Sequence, residues 1–197
     1  MRLTLPDRFF DYLPWALATL LVAGIVHIVS VLLMPAVAPH TAYARILRAV
    51  GDAPAEGLVP LPAAAPGAEP LPFEDPSFAE GVCVYDLSKG LLRVTTPADG
   101  EDFLAVSFLS SGGRLYHAIT DRAAIKGRID IVIGDEKQMD ALQGAGEEAA
   151  PQEVRLTSPT KRGFVLVRAL AKRTTDLPRA RERLGAVACS RFDAPKG

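Results

Sequence analysis

Cysteine and histidine are scarce: the 197 residues hold two of the first and three of the second. Cys83 and Cys189 have no pair of histidines near them in sequence, so the ligand pattern of a structural zinc site is missing. There is no Gly-x-Ser-x-Gly elbow and no evident Cys–His pair, which removes the common nucleophile signatures. Ser110-Ser111-Gly112-Gly113 lacks the lysine and the strand-to-helix context of a phosphate-binding loop. The spacing of a calcium-binding EF-hand loop is absent as well. Neither sign of charge dominates, with 22 basic and 23 acidic side chains and a net charge of −1. That balance argues against nucleic acid as a partner. No cofactor and no metal are expected.

One absence is local. From Tyr12 to Ala44 no residue carries a permanent charge. The centre of the run, WALATLLVAGIVHIVSVLLM, has the length of about 20 residues that a helix needs to cross a hydrocarbon core. Pro14 is expected in the first turn of this helix, and Pro35 and Pro39 just past its end. Phe9, Phe10, Tyr12 and Trp15 on one side, and Tyr43 on the other, suit a membrane interface, as does His40. A cleaved signal peptide is the competing reading. Its cut would follow Ala38, which Pro39 makes a poor site, or Ala44. The flanking arginines, Arg2 and Arg8 against Arg45 and Arg48, give no clear orientation. The amino terminus and the cysteine pair favour a cytoplasmic N-terminus.

The expected organisation is therefore a cytoplasmic segment (1–13), a transmembrane anchor (14–36), an amphipathic and proline-rich connector (37–76) and a periplasmic β-rich domain (77–197). The expected location is a bacterial inner membrane, crossed once. His27 is the residue that lipid should reject. Ala16, Leu20, Ala23, His27, Ser30 and Met34 recur at steps of four and three and share one helix stripe. Small and polar residues on a stripe suit a contact with another membrane helix.

Beyond the anchor, residues 41–52 have the pattern of a short amphipathic helix. Seven prolines between Ala53 and Pro76 forbid regular helix or central strand. Leu58, Val59, Leu61, Leu71 and Phe73 suggest that parts of this stretch lie on the domain surface. Strand signals follow at Gly81–Leu87, Leu91–Thr96, Phe103–Leu109, Arg114–Thr120, Arg128–Ile133, Val154–Thr157 and Gly163–Ala169. The alternation in Arg128–Ile133 predicts one solvated face. Helices are expected over Asp135–Gln143 and over Asp176–Cys189, with Asp176 as N-cap of the second. Seven strands joined mostly by hairpin turns, with no parallel β-α-β pattern, imply a mainly β fold: an antiparallel sandwich or jelly-roll-like domain with a C-terminal helix. Residues 45–151 hold 9 basic and 17 acidic side chains, and residues 152–197 hold 11 and 4. Either the two halves pack with complementary faces, or the basic half rests on anionic lipid or an acidic partner.

The blocks LPFEDPSFAEGVCVYDLSKGLLRV, DFLAVSFLSSGGRLYHAITDRAA and RGFVLVRAL, after a membrane helix with a central His27, resemble the short, membrane-anchored form of the bacterial domain of unknown function 1254 family. Asp75-Pro76-Ser77-Phe78, Cys83-Val84-Tyr85-Asp86-Leu87 and Thr120-Asp121-Arg122-Ala123 fit its motifs. The resemblance implies a β-rich envelope domain that includes the proline-rich stretch. Longer members carry a domain of unknown function 1214, so a separately encoded protein of that type is an implied partner. The family supplies no catalytic residues.

His117, with Asp121 and Arg122 nearby in sequence, is the candidate for a ligand site or for acid–base work. The more ordinary reading makes His117 a surface strand residue and Asp121-Arg122 a structural pair closing a turn. Asp86, Asp121 and Asp130 would need to meet on one face to hold calcium. In an oxidising compartment Cys83 and Cys189 would pair and tie the first strand to the last helix; two buried thiols are the alternative. The function expected from the sequence is a non-enzymatic accessory or assembly module of an envelope complex, in contact with the lipid bilayer and another membrane protein. A small-ligand or enzymatic domain with a site at His117, Asp121 and Arg122 is the alternative.

Overall fold

A computed structural model describes residues 7–37, 42–51, 57–62, 75–98, 102–144 and 152–192. The chain forms two compact units, Met1–Pro39 and His40–Gly197. His40, Leu71 and Phe73, singled out above, lie outside the described residues.

The first unit is a helix, α1 (Asp7–Val37). Its stretch Asp11–Met34, 24 residues with none buried, is long and apolar enough to cross a membrane. At 1.5 Å per residue that stretch measures about 36 Å. Pro14 and Pro35 both fall inside α1 and not at its ends as expected. Apolar helices tolerate such interruptions, because local adjustments re-satisfy the freed carbonyl. Ala16, Leu20, Ala23, His27, Ser30 and Met34 are all exposed on α1.

The second unit opens with α2 (Ala42–Val50) and β1 (Val59–Pro60). The remaining elements are β2 (Phe78–Asp86), β3 (Leu91–Pro97), β4 (Leu104–Ser110), β5 (Leu115–Thr120), β6 (Arg128–Gly134), α3 (Glu136–Gly144), β7 (Glu153–Thr157), β8 (Arg162–Leu170), α4 (Leu177–Gly185) and β9 (Ala188–Phe192). Two sheets form a sandwich. One has the order β1-β2-β8-β4-β5 and the other β7-β6-β3-β9. The first sheet is antiparallel throughout. In the second, β6 and β7 are parallel, an exception within the expected antiparallel sandwich. The connection between them contains α3, so a short β-α-β unit does occur. Asp135 and Gln138 fix its start by exchanging backbone-to-side-chain hydrogen bonds of 2.9 Å, a reciprocal cap.

Alternation places one side of each strand in the core. Tyr85, Val94, Leu104, Val106, Phe108, Ile131, Ile133, Val165 and Val167 meet between the sheets with at most 1% exposure. α4 closes this core with Ala180 and Leu184. A second cluster lies on the outer face of the first sheet, where Ile46 of α2 packs on Val82, Phe164 and Leu166. The folded unit thus extends upstream of residue 77 and includes α2, β1 and the core-packed Leu58. A third cluster joins Leu91 and Val132 to Met139 and Leu142 of α3.

Two expectations need correction. The last predicted helix stops at Gly185, and the chain continues as a strand from Ala188. Residues 188–192 pair with β3, whose backbone has no other neighbour on that side; this tertiary pairing overrides local helix propensity. β6 is buried on both faces from Ile129 to Gly134. Its outer side is covered by α3 at Val132 and by an ion pair at Asp130.

Candidate functional site

Cys83 on β2 and Cys189 on β9 form a disulfide with Cα atoms 6.4 Å apart. It joins the two sheets through the core, so it ties strand to strand and not strand to helix.

The three residues of the expected ligand site have different surroundings. His117 is exposed on β5, the last strand of its sheet, with its ring 6.1 Å from that of Phe108. Asp121 is 8% exposed in the turn Asp121–Ala123, and its carboxylate accepts the Leu104 N–H at 3.4 Å. Arg122 is exposed. The clefts described below are lined by other residues. Asp86, Asp121 and Asp130 also stay apart, and among the described residues no cluster of three or more metal-ligating side chains occurs.

The sequence pattern did not single out Glu80 and Arg168. They are direct partners across β2 and β8, and their side chains form an ion pair at 2.7 Å, with Glu80 only 7% exposed. The signal was there: one acid inside FAEGVCVY and one base inside GFVLVRAL, each the one charge in an otherwise apolar run. Glu80 lines a cleft of about 270 Å³ between β1, the start of β2 and α4. Leu61, Phe78, Leu177 and Leu184 make its walls mostly apolar, while Asp75 and Arg181 add polar groups. An apolar cleft with a few polar groups has the composition of a small-ligand site.

At the other end of β2 the turns are polar and tied together. The Leu87 N–H donates to the Lys161 carbonyl at 2.8 Å, and the Ser111 N–H to Thr160 Oγ1 at 3.3 Å. Thr160 Oγ1 donates to the Arg162 carbonyl at 2.7 Å. Tyr43 of α2, Asp86, Ser88, Ser111, Lys161 and Arg162 line an open cleft here of about 610 Å³. Hydrogen bonds from Ser88 and Arg162 hold the Asp86 carboxyl below its ordinary range, against a weaker opposing effect of burial. Burial pushes the Tyr43 phenol up, and Arg162 pulls it the other way.

Behind these turns the Tyr85 hydroxyl sits among Tyr116 Oη at 3.1 Å, Ser158 Oγ at 3.0 Å and the Leu109 carbonyl at 3.3 Å. Burial raises the pKa of both phenols. Both stay protonated at neutral pH, so this cluster is a hydrogen-bonded pin and not a base.

No curated protein matches the chain. Among solved structures, the VPA0106 protein of Vibrio parahaemolyticus is similar with a TM-score of 0.55 and 13% identity, over 79% of this chain and 37% of that one. An uncharacterised protein of Burkholderia cenocepacia gives 0.45 and 16%, over 79% and 42%. The chain therefore spans well under half the length of either, and the first likeness shows a shared fold. Residues 77–190, more than half of the chain, match the family described as protein of unknown function (DUF1254), and the chain belongs to that family.

Proposed function

We propose that this protein is a single-pass inner-membrane protein with a periplasmic β-sandwich that serves as a non-enzymatic assembly module for an envelope complex. The observation that carries this reading is α1: Asp11–Met34 is apolar and exposed along its whole length, ahead of a folded unit with its own core. The Cys83–Cys189 bridge supports an oxidising compartment for that unit. The His27 stripe gives the helix a face on which another membrane helix can pack. A separate protein of the domain of unknown function 1214 type is the partner we favour, because longer members of the family that this chain resembles carry such a domain.

The test is purification from native membranes in mild detergent. The protein should resist extraction by alkaline carbonate, be cleaved by protease added to spheroplasts, and bring a membrane partner with it. His27→Leu should loosen that association without lowering the amount of protein in the membrane. Release by carbonate, or monomeric purification under mild conditions, contradicts the reading.

A further inference from the structure

We propose that the turn end of the sandwich docks on anionic phospholipid headgroups through Lys89, Arg114 and Lys161; this rests on the membrane-anchored reading above. Three turns meet at this end: Leu87–Lys89 after β2, residues 111–114 between β4 and β5, and residues 158–161 before β8. The bonds linking Leu87 to Lys161 and Ser111 to Thr160 hold them as one surface. Gly113 N–H donating to the Ser110 carbonyl at 2.9 Å tightens the middle turn.

The first residues of α2 lie on the same surface. A Cβ on Gly113 would press on the Cβ of Ala42, and Tyr43 shares a cleft with Lys161 and Arg162. Ala42 follows Val37, the last residue of α1, by five positions. Whatever path those residues take, a fully extended chain of that length spans at most about 18 Å. With α1 in a membrane, that length of chain keeps Ala42 within reach of the headgroups.

The charge there suits the lipid. Lys89, Arg114 and Lys161 are exposed, and none has an ion pair among the described residues. Of the acids nearby, Asp86 is taken by Arg162 at 3.2 Å and by Ser88, and Asp135 by the cap of α3. Glu136 is the exposed carboxylate, with Lys137 beside it. At the opposite end Asp102 pairs with Lys172 and Arg179, and its carbonyl accepts from Arg183, while Arg122, Lys126, Arg173 and Arg181 are exposed there as well, so the charge alone does not choose between the two ends.

The experiment uses the full chain in nanodiscs of phosphatidylcholine, with or without a minority of phosphatidylglycerol, and reads amide hydrogen exchange. The anionic lipid should slow exchange at residues 87–90, 111–114 and 158–162. Replacing Lys89, Arg114 and Lys161 by Gln should remove the difference, at about fivefold in affinity per cation. Lys89→Arg, Arg114→Lys and Lys161→Arg together should keep it, which guards against a misfolded Gln variant. Exchange that is the same in both lipids, or protection confined to α4, overturns the proposal. Competition by inorganic phosphate also overturns it, since that would mark a site for the free ion. Failure to enter nanodiscs at all instead overturns the anchor, and the docking surface with it.

Discussion

The hydroxyl of Tyr85 stands where a side chain on Gly163 would begin. The two residues are direct partners across β2 and β8, and a Cβ at 163 would run into that hydroxyl and into the Leu109 carbonyl. Gly163 is therefore the residue that lets Tyr85 reach Ser158 and Tyr116 inside the sandwich. Gly163→Ala should cost about 1–3 kcal/mol through overpacking. Tyr85→Phe should cost about 1–2 kcal/mol, because it strips partners from a buried polar cluster. The double variant should be less damaged than the sum, with a coupling of at least about 0.5 kcal/mol. Urea denaturation of all four proteins measures this, and strict additivity would remove the steric link between the two residues.

The disulfide closes a long loop, with 106 residues of sequence separation. Its loss should lower stability by up to about 4.7 kcal/mol in the chain-entropy view. Both cysteines are nearly inaccessible, at 1% and 5% exposure. A reductant alone should thus leave the bridge intact at neutral pH, whereas reductant with denaturant should open it and shift the unfolding midpoint downward. Cys83→Ala combined with Cys189→Ala should match the reduced protein. Alkylation followed by mass spectrometry, alongside the denaturation curves, checks both statements.

Period-two alternation made most of the sandwich legible from the residues. The expected strands at Leu91–Thr96 and Gly163–Ala169 each fall within a residue or so of the observed ones. Failures came where a distant partner decides the local state. Ala188-Cys189 reads as the end of a helix, and becomes a strand only because β3 offers an edge. Asp130 reads as the solvated side of β6, and is buried only because Arg93 reaches it from β3. The candidate site was harder still. His117, Asp121 and Arg122 are close along the chain, but an edge strand and a tight turn give them different environments. Glu80 and Arg168 are 88 positions apart and meet through register, which no local pattern expresses.

Asp86 gives the turn end a pH response. Its carboxyl sits below the ordinary range, because Ser88 donates to it at 2.5 Å and Arg162 at 3.2 Å. A depressed folded pKa contributes stability above the unfolded value of about 3.9, and that contribution is lost as the pH falls through the lower folded value. Asp86→Asn should therefore lower the melting temperature at pH 7. The gap from the parent protein should close only in the acid range below about pH 4. Melting curves at stepped pH decide it, and a gap that is unchanged at low pH would show that the carboxylate charge is not the cause.

Arg93 and Asp130 pair on the outer face of the second sheet, through bonds of 2.8 and 2.6 Å. The partners are unequal. The Asp130 side chain is 10% exposed and that of Arg93 39%. Glu153 lies 3.7 Å from Arg93, and Arg155 pairs with Glu153 at 2.8 Å. Removing the arginine strands a nearly buried carboxylate beside another acid. Removing the aspartate leaves an arginine that can turn to Glu153 and to water. Breaking one side of a fully buried pair costs about 3–5 kcal/mol, and an exposed pair is worth about 1 kcal/mol or less. Arg93→Met, which keeps the apolar stem, should accordingly cost about 2–3 kcal/mol, and Asp130→Asn only about 1 kcal/mol. Raising the salt concentration should move the second value more than the first, because only the exposed component is screened. Equal costs, or the reverse order, would mean that the ladder of charges on this face acts as a solvated surface and not as a seal over β6.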